Sequence, residues 1–263
     1  MIDCFYNHIK RVNNMEKVIP SEDFQIIAHR GFSLDYPENT LLAYKAALNA
    51  SVDMLEIDVH LTKDHQLVVI HDDKIDRTSN GSGYVKDYTR DELKSYDFGS
   101  WKDATFIGAK IMTFKEVAKL VEPHDTTLLI EIKKPSKYPN IEEQLLKEIE
   151  DAHLDADKVI IQSFDERSIE KISKLTRKYS LGVLLSKKKY LFKMPNFNKL
   201  AKFCEYANPN YELVNQKFIE RAHLHHLKVL PYTVNDINDI RKLMIDGVDG
   251  IITDGPNHYF ELD

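Results

Sequence analysis

The chain has 263 residues, 43% of them hydrophobic, enough to bury a substantial core as one large α/β domain. Its formal charge of -6, from 36 Lys plus Arg against 42 Asp plus Glu, gives no positive field for gathering phosphate backbones, so nucleic acid is not an expected partner. Two cysteines, Cys4 and Cys204, build neither a disulfide framework nor a thiolate metal cluster, and no run of about 18 apolar residues offers a membrane span.

Residues 1–24 read as an N-terminal extension broken by charges, without the continuous apolar stretch of a secretory signal, so the cytoplasm is the expected compartment and no stable membrane insertion is expected. The following stretch, IIAHRGFSLDYPENT, begins as a strand over 25–29 and breaks into His29, Arg30 and Gly31 just before a helix at 39–50. In that helix Leu41, Leu42, Ala46 and Leu48 form an expected inner stripe, with Lys45 and Asn49 facing water. A strand at 53–59 follows. Residues 66–112 then carry a strand-like LVVI, a glycine-rich turn near 80–83 and a short helix at 89–95, too long for an ordinary connection; about 72–112 reads as an insertion capping one end.

Beyond it, strands at 126–132, 158–162, 180–185, 205–208, 228–232 and 250–253 alternate with helices at 113–120, 140–151, 165–178, 197–203, 215–226 and 235–245. Eight short apolar runs alternating with helical segments predict an α/β fold of the TIM type, a (β/α)8 barrel, with a small insertion after the second barrel strand. Only SKKKYLFKMPNFNKL, from Ser186, has no clean period; Lys187, Lys188 and Lys189 read as a solvated loop or as a contact for phosphate or an acidic surface. Residues 257–263 form a short tail after a domain at 25–256.

The chemistry concentrates at strand ends. In MLEIDVHL, Glu56 and Asp58 are two residues apart, so one face of one strand carries both carboxylates. Burying that pair alone is costly, and a hard divalent cation, Ca²⁺ or Mg²⁺, resolves the cost; lysines or arginines on an exposed strand are the alternative. TTLLIEIKKP adds Glu131 and, two residues on, Lys133, a charge for an anionic ligand. His29 and His71 suit paired proton delivery and removal, with metal ligation as their alternative role. Arg30 is shaped to fork onto phosphate oxygens or to neutralise Glu56 or Glu131.

In order and spacing, AHRG, PENT, LEIDVHLTKDHQLVVIHD, RTSNGSG, LLIEIK, IIQSF, YTVN and DGIITDGP closely resemble the glycerophosphodiester phosphodiesterase family, from about residue 25 to 256. The resemblance implies a TIM-type barrel and a cation on Glu56, Asp58 and Glu131. It also implies catalytic histidines at His29 and His71 and phosphate contacts at Arg30 and Lys133. The implied reaction splits a small glycerophosphodiester into glycerol 3-phosphate and an alcohol, one imidazole activating the glycerol 2-hydroxyl or a water and the other protonating the leaving alcohol. His29 is assigned as base and His71 as acid, with the reverse left open. Where the family usually has tryptophan, Tyr232 keeps an aromatic face toward substrate and changes the expected head-group preference. Rival readings are lysophospholipase D-type cleavage of lysophospholipid head groups and a non-catalytic phosphate-ligand binding protein; no oligomeric state is predicted.

Overall fold

Parallel strands buried on both faces organise the molecule, as expected where helices cover a sheet. The computed structural model describes residues 23–260, so most of the 1–24 extension, with Cys4, and residues 261–263 of the tail lie outside the described residues. The strands are β1 Gln25–Ala28, β2 Met54–Leu61, β3 Leu67–Val69, β4 Met112–Thr113, β5 Thr127–Ile132, β6 Val159–Ser163, β7 Ser180–Leu185, β8 Tyr206–Pro209 and β9 Gly250–Thr253. Parallel pairing runs β9, β1, β2, β5, β6, β7, β8.

The predicted strand at 228–232 is not a continuous strand, and two prolines explain why. Lys228 and Tyr232 each bridge to β8 in parallel, but Pro209 has no N–H for the intervening position at Leu230. On the other side Asp249 and Ile252 donate to the carbonyls of Val229 and Pro231, and Val234 donates to Ile252. The segment therefore joins β8 to β9 and closes the ring of a TIM-type (β/α)8 barrel, with an interrupted ladder in place of a regular one.

The helices are α1 Leu41–Asn49, α2 Arg90–Ser95, α3 Phe114–Val121, α4 Ile141–Asp151, α5 Glu166–Leu175, α6 Lys187–Tyr190, α7 Phe197–Leu200, α8 Gln216–His223, α9 Ile237–Asp246 and α10 Asn257–Phe260. Their apolar faces and the outward strand residues make the main core, for example Ile57, Ile130, Ile161 and Val183 against Tyr44, Val117, Leu145 and Ile169. Residues 68–111 hold a smaller cluster of their own, including Val68, Ile75, Leu93 and Phe98. Antiparallel β3 and β4 tie that segment to β2 and extend β2 to Leu61, beyond the predicted end at 59.

One helix face differs from expectation. On α1 the buried residues are Ala43, Tyr44, Ala47 and Leu48, while Leu41 and Leu42 are exposed at 40% and 39%. Two bonds set this rotation: Thr40 caps the helix at Ala43 N–H, and Tyr44 donates to Asn39 Oδ1 at 2.8 Å. Close approach requires Gly31 nearby, because its φ is 81° and a Cβ there would lie 2.7 Å from the Ala43 carbonyl carbon.

Inside the barrel Ile27, Met54, Leu129, Ile160, Tyr206, Leu230 and Ile252 meet as a separate apolar plug. Gly182 leaves room for it: a Cβ there would sit 3.2 Å from Tyr206 Cβ. The inner face repeats every second residue, so the next inward position on each of those strands lies one layer nearer the C-terminal mouth.

Candidate active site

That next layer is polar. Two residues beyond each plug residue stand His29, Glu56, Glu131, Gln162, Asn208, Tyr232 and Asp254. Asp58 and Lys133 follow one step further out on β2 and just beyond β5, with Asp58 opposite Glu131 in the ladder. The chain thus changes from apolar to ionisable inside one barrel without changing the face it presents.

Glu56, Asp58 and Glu131 are 1%, 0% and 6% exposed, and one oxygen from each lies within 4.8 Å of the others. Lys133 Nζ is 2.8 Å from Glu131 Oε1 and 3.4 Å from Asp58 Oδ1. Arg30 donates its backbone N–H to Glu56 Oε2 at 2.9 Å, holding φ at 57°, and its guanidinium meets Glu38 at 2.9 Å and Asp58 at 3.3 Å. The close ion pairs of Arg30 are with Glu38 and Asp58, while its charge acts on Glu56 and Glu131 at longer range.

Burial pushes the Glu56 carboxyl well above the ordinary carboxylate range, and the charges of Asp58 and Glu131 add to the shift. Glu131 is raised to about 7, burial outweighing the Lys133 ammonium beside it. Burial acts on Asp58 in the same direction, but Lys133 and Arg30 together hold it well below the ordinary range. Asp58 Oδ1 is buried and receives no hydrogen bond. Three converging hard oxygen donors, whose mutual repulsion and burial disfavour the ionised forms of Glu56 and Glu131 and leave an Asp58 oxygen unsatisfied, fit Ca²⁺ or Mg²⁺.

The histidines carry matching supports. His29 Nδ1 lies 2.6 Å from Asp254 Oδ1, and Asp254 also accepts from Ser33 Oγ at 3.0 Å and Asn235 Nδ2 at 2.6 Å. His71 Nδ1 lies 2.7 Å from Asp72 Oδ1, whose other oxygen accepts from Arg77 Nε at 2.7 Å. A carboxylate accepts, so each Nδ1 donates and each Nε2 is left to exchange a proton. Both imidazoles lie close enough to Asp58 for their charge to lower its pKa. Burial lowers the proton affinity of His71, with Lys133 and Arg30 also disfavouring its cation.

A further imidazole is structural. His60 is fully buried, its pKa lowered to about 4 by burial. Its Nε2 donates to the His71 carbonyl at 3.1 Å, so its Nδ1 accepts from Tyr138 Oη at 2.7 Å. Tyr232 donates its hydroxyl to the Leu185 carbonyl at 3.2 Å and sets its ring edge-on to Phe164 at 5.7 Å, leaving the ring rather than the hydroxyl available. A cleft of about 680 Å³ opens beside Glu131, Lys133 and Phe164 and extends to Glu166, Lys189 and Lys199.

Several residues of this site escaped the sequence reading. Glu38 accepts from Arg30 and, at 2.7 and 2.8 Å, from both terminal nitrogens of Arg77. Asn39, 3% exposed, donates to Asp58 Oδ2 at 3.0 Å. Asp254, Asp72, Arg77 and Asn235 complete the set. Glu38 and Asn39 stand in PENT and Asp254 in DGIITDGP, fragments that already stood out; Asp72 directly follows His71.

The sequence profile described as the glycerophosphoryl diester phosphodiesterase family matches residues 29–258. A glycerophosphodiester phosphodiesterase of Caldanaerobacter subterraneus subsp. tengcongensis is 38% identical over 90% of this chain and 96% of its own. Another, from Bacillus subtilis, is 34% identical over 90% of this chain and 85% of its own. Among solved structures, an Oleispira antarctica phosphodiesterase in complex with the product sn-glycerol-3-phosphate superposes with a TM-score of 0.84 at 25% identity, covering 90% of this chain and 96% of that one.

Proposed function

Because the chain belongs to the glycerophosphodiester phosphodiesterase family, we propose that it hydrolyses small glycerophosphodiesters to glycerol 3-phosphate and an alcohol, by paired-histidine acid/base catalysis at a metal-dependent site. The observation that carries this reading is the matched pair of imidazoles, each with Nδ1 tied to a carboxylate, at the same barrel mouth as the converging oxygens of Glu56, Asp58 and Glu131.

In this reading His29 Nε2 takes the proton of the attacking hydroxyl: that of a water, which gives glycerol 3-phosphate directly, or the glycerol 2-hydroxyl, which closes a cyclic phosphate that a water then opens to glycerol 3-phosphate. His71 Nε2 gives a proton to the departing alcohol oxygen; its lowered proton affinity makes it the stronger donor once loaded. Asp254 and Asp72 hold the two rings in the tautomer the transfers need. Lys133 and the Arg30 guanidinium supply positive charge for the non-bridging phosphoryl oxygens. Glu56, Asp58 and Glu131 would hold one Ca²⁺ or Mg²⁺, which when bound supplies Lewis-acid stabilisation of phosphoryl charge. The Tyr232 ring, backed by Phe164, walls the substrate side.

Residues 25–256 act as the catalytic domain, with about 72–112 as its cap. Arg77 from that segment braces Glu38 and Asp72, and Lys102 donates to the carbonyls of Ser33 and Leu34 at 3.0 and 2.7 Å. Among the described residues no helix is long and apolar enough to cross a membrane. We assign the reaction to the cytoplasm, in keeping with the buried free thiol of Cys204.

The test is glycerol 3-phosphate release from a panel of glycerophosphodiesters after chelation and stepwise return of each metal. Release that stops on chelation and returns with Ca²⁺ or Mg²⁺ is expected. Undiminished release from fully chelated protein contradicts the metal assignment, and no release from any diester with either metal contradicts the reaction.

A further inference from the structure

The segment that showed no period in the sequence, Lys187 to Met194, forms a projecting tip on the same C-terminal side of the barrel as the site, because it follows parallel strand β7. Two anchors hold its base. Tyr190 is buried and donates to Glu166 Oε1 at 2.8 Å, and Met194 packs against the main core. Between them the chain exposes Leu191 at 50% and Phe192 at 96%, the most exposed large hydrophobic residue described.

Lysines surround that apolar pair. Lys187 and Lys189 lean back on Glu212 and Glu166, and Lys199 shares Glu166 at 3.0 Å. Lys188 is exposed, Lys193 lies over the Tyr190 ring at 5.6 Å, and neither pairs with a carboxylate among the described residues. A chain of net charge -6 therefore places surplus positive charge beside an unburied phenylalanine and leucine at the mouth of its barrel.

We propose that residues 187–194 dock this protein peripherally on an anionic lipid surface. Phe192 and Leu191 enter the boundary between head groups and acyl chains, while Lys188 and Lys193 meet the lipid phosphates. Charge complementarity selects this occupant. The negative remainder of the chain is repelled by the same surface, so attachment orients the molecule through the tip. Lys189 also lines the cleft next to Lys133, so docking turns the catalytic mouth toward the lipid. Neither the tip nor its attachment depends on the reaction assigned above.

Cosedimentation of the full-length protein with phosphatidylcholine vesicles, either pure or containing about a third phosphatidylglycerol, tests the proposal. The anionic vesicles are expected to retain about tenfold more protein than the neutral ones, with the excess falling as salt is raised. Phe192→Asp, or Lys188→Glu combined with Lys193→Glu, removes the excess, whereas Phe192→Trp keeps it; circular dichroism of each variant confirms the fold. Equal retention on both vesicle types overturns the proposal, as does undiminished binding by Phe192→Asp. A concentration-dependent dimer that Phe192→Asp abolishes, without vesicle binding by the parent, assigns the tip to a second copy and overturns it too. Vesicle binding is read without turnover, so an inactive enzyme leaves this test intact.

Discussion

Two layers inside the barrel differ by a step of two residues and by almost everything else. The plug of Ile27, Met54, Leu129, Ile160, Tyr206, Leu230 and Ile252 offers bulk and apolar surface. The ring that follows, from His29 and Glu56 round to Tyr232 and Asp254, brings charge, proton exchange and unsatisfied oxygen. Their proximity teaches how a barrel tolerates such a site: a close-packed floor excludes water beneath the carboxylates, and the low dielectric that results raises Glu56 and Glu131. Stability and chemistry are stacked along the same strands, and substitutions one step apart should separate them.

The largest effect is expected in the ring. His29→Ala should lower kcat on the order of a thousandfold while moving the thermal midpoint by no more than about 2 °C, checked by product assay and calorimetry. A plug substitution should do the reverse: Leu129→Ala should cost about 2–5 kcal/mol in denaturant unfolding, yet leave turnover per folded molecule within about threefold. Between them, Asp254→Asn keeps a shape but loses the charge that orients His29, and a fall in kcat on the order of a hundredfold with little change in KM is expected.

A smaller effect has a definite sign with pH. The folded state raises the Glu56 pKa above its unfolded value, so metal-free protein loses stability as pH rises through that raised pKa and the buried carboxyl ionises. Glu56→Gln removes the ionisation, so its metal-free midpoint should exceed the parent's by about 2–4 °C at alkaline pH, with the gap closing as pH falls. The same variant should no longer gain stability from added Ca²⁺ or Mg²⁺. The mildest change is at Gln162, which accepts from Asn208 Nδ2 at 2.8 Å on the uncharged side of the ring. Gln162→Leu should cost about 1 kcal/mol of stability and little activity.

The alternation in MLEIDVHL was legible because a strand's period is two and one face of it is polar. His29, His71, Arg30 and Lys133 were legible as charges at strand ends, where packing offers no reason for them. The supports were not: His29 meets Asp254 across 225 positions, a pairing that only barrel closure creates. Hydrophobicity places Leu41 and Leu42 on the inner stripe of α1, whereas Tyr44 is turned inward by its bond to Asn39, itself bound to Asp58. The apolar run at 228–232 predicts a regular strand, whose ladder Pro231 within it and Pro209 on β8 interrupt. The histidine supports and the helix face answer to distant elements, whereas the broken strand carries one of its two prolines itself.

The division of labour between the two imidazoles is tested most directly by changing the leaving group. His29→Ala and His71→Ala are assayed on a glycerophosphodiester with an ordinary alcohol and on its p-nitrophenyl analogue, whose phenolate departs without a proton. His71→Ala is expected to recover most of its lost rate on the analogue while His29→Ala stays impaired on both. Equal impairment of both variants on both substrates, or recovery by His29→Ala alone, would contradict that division of labour.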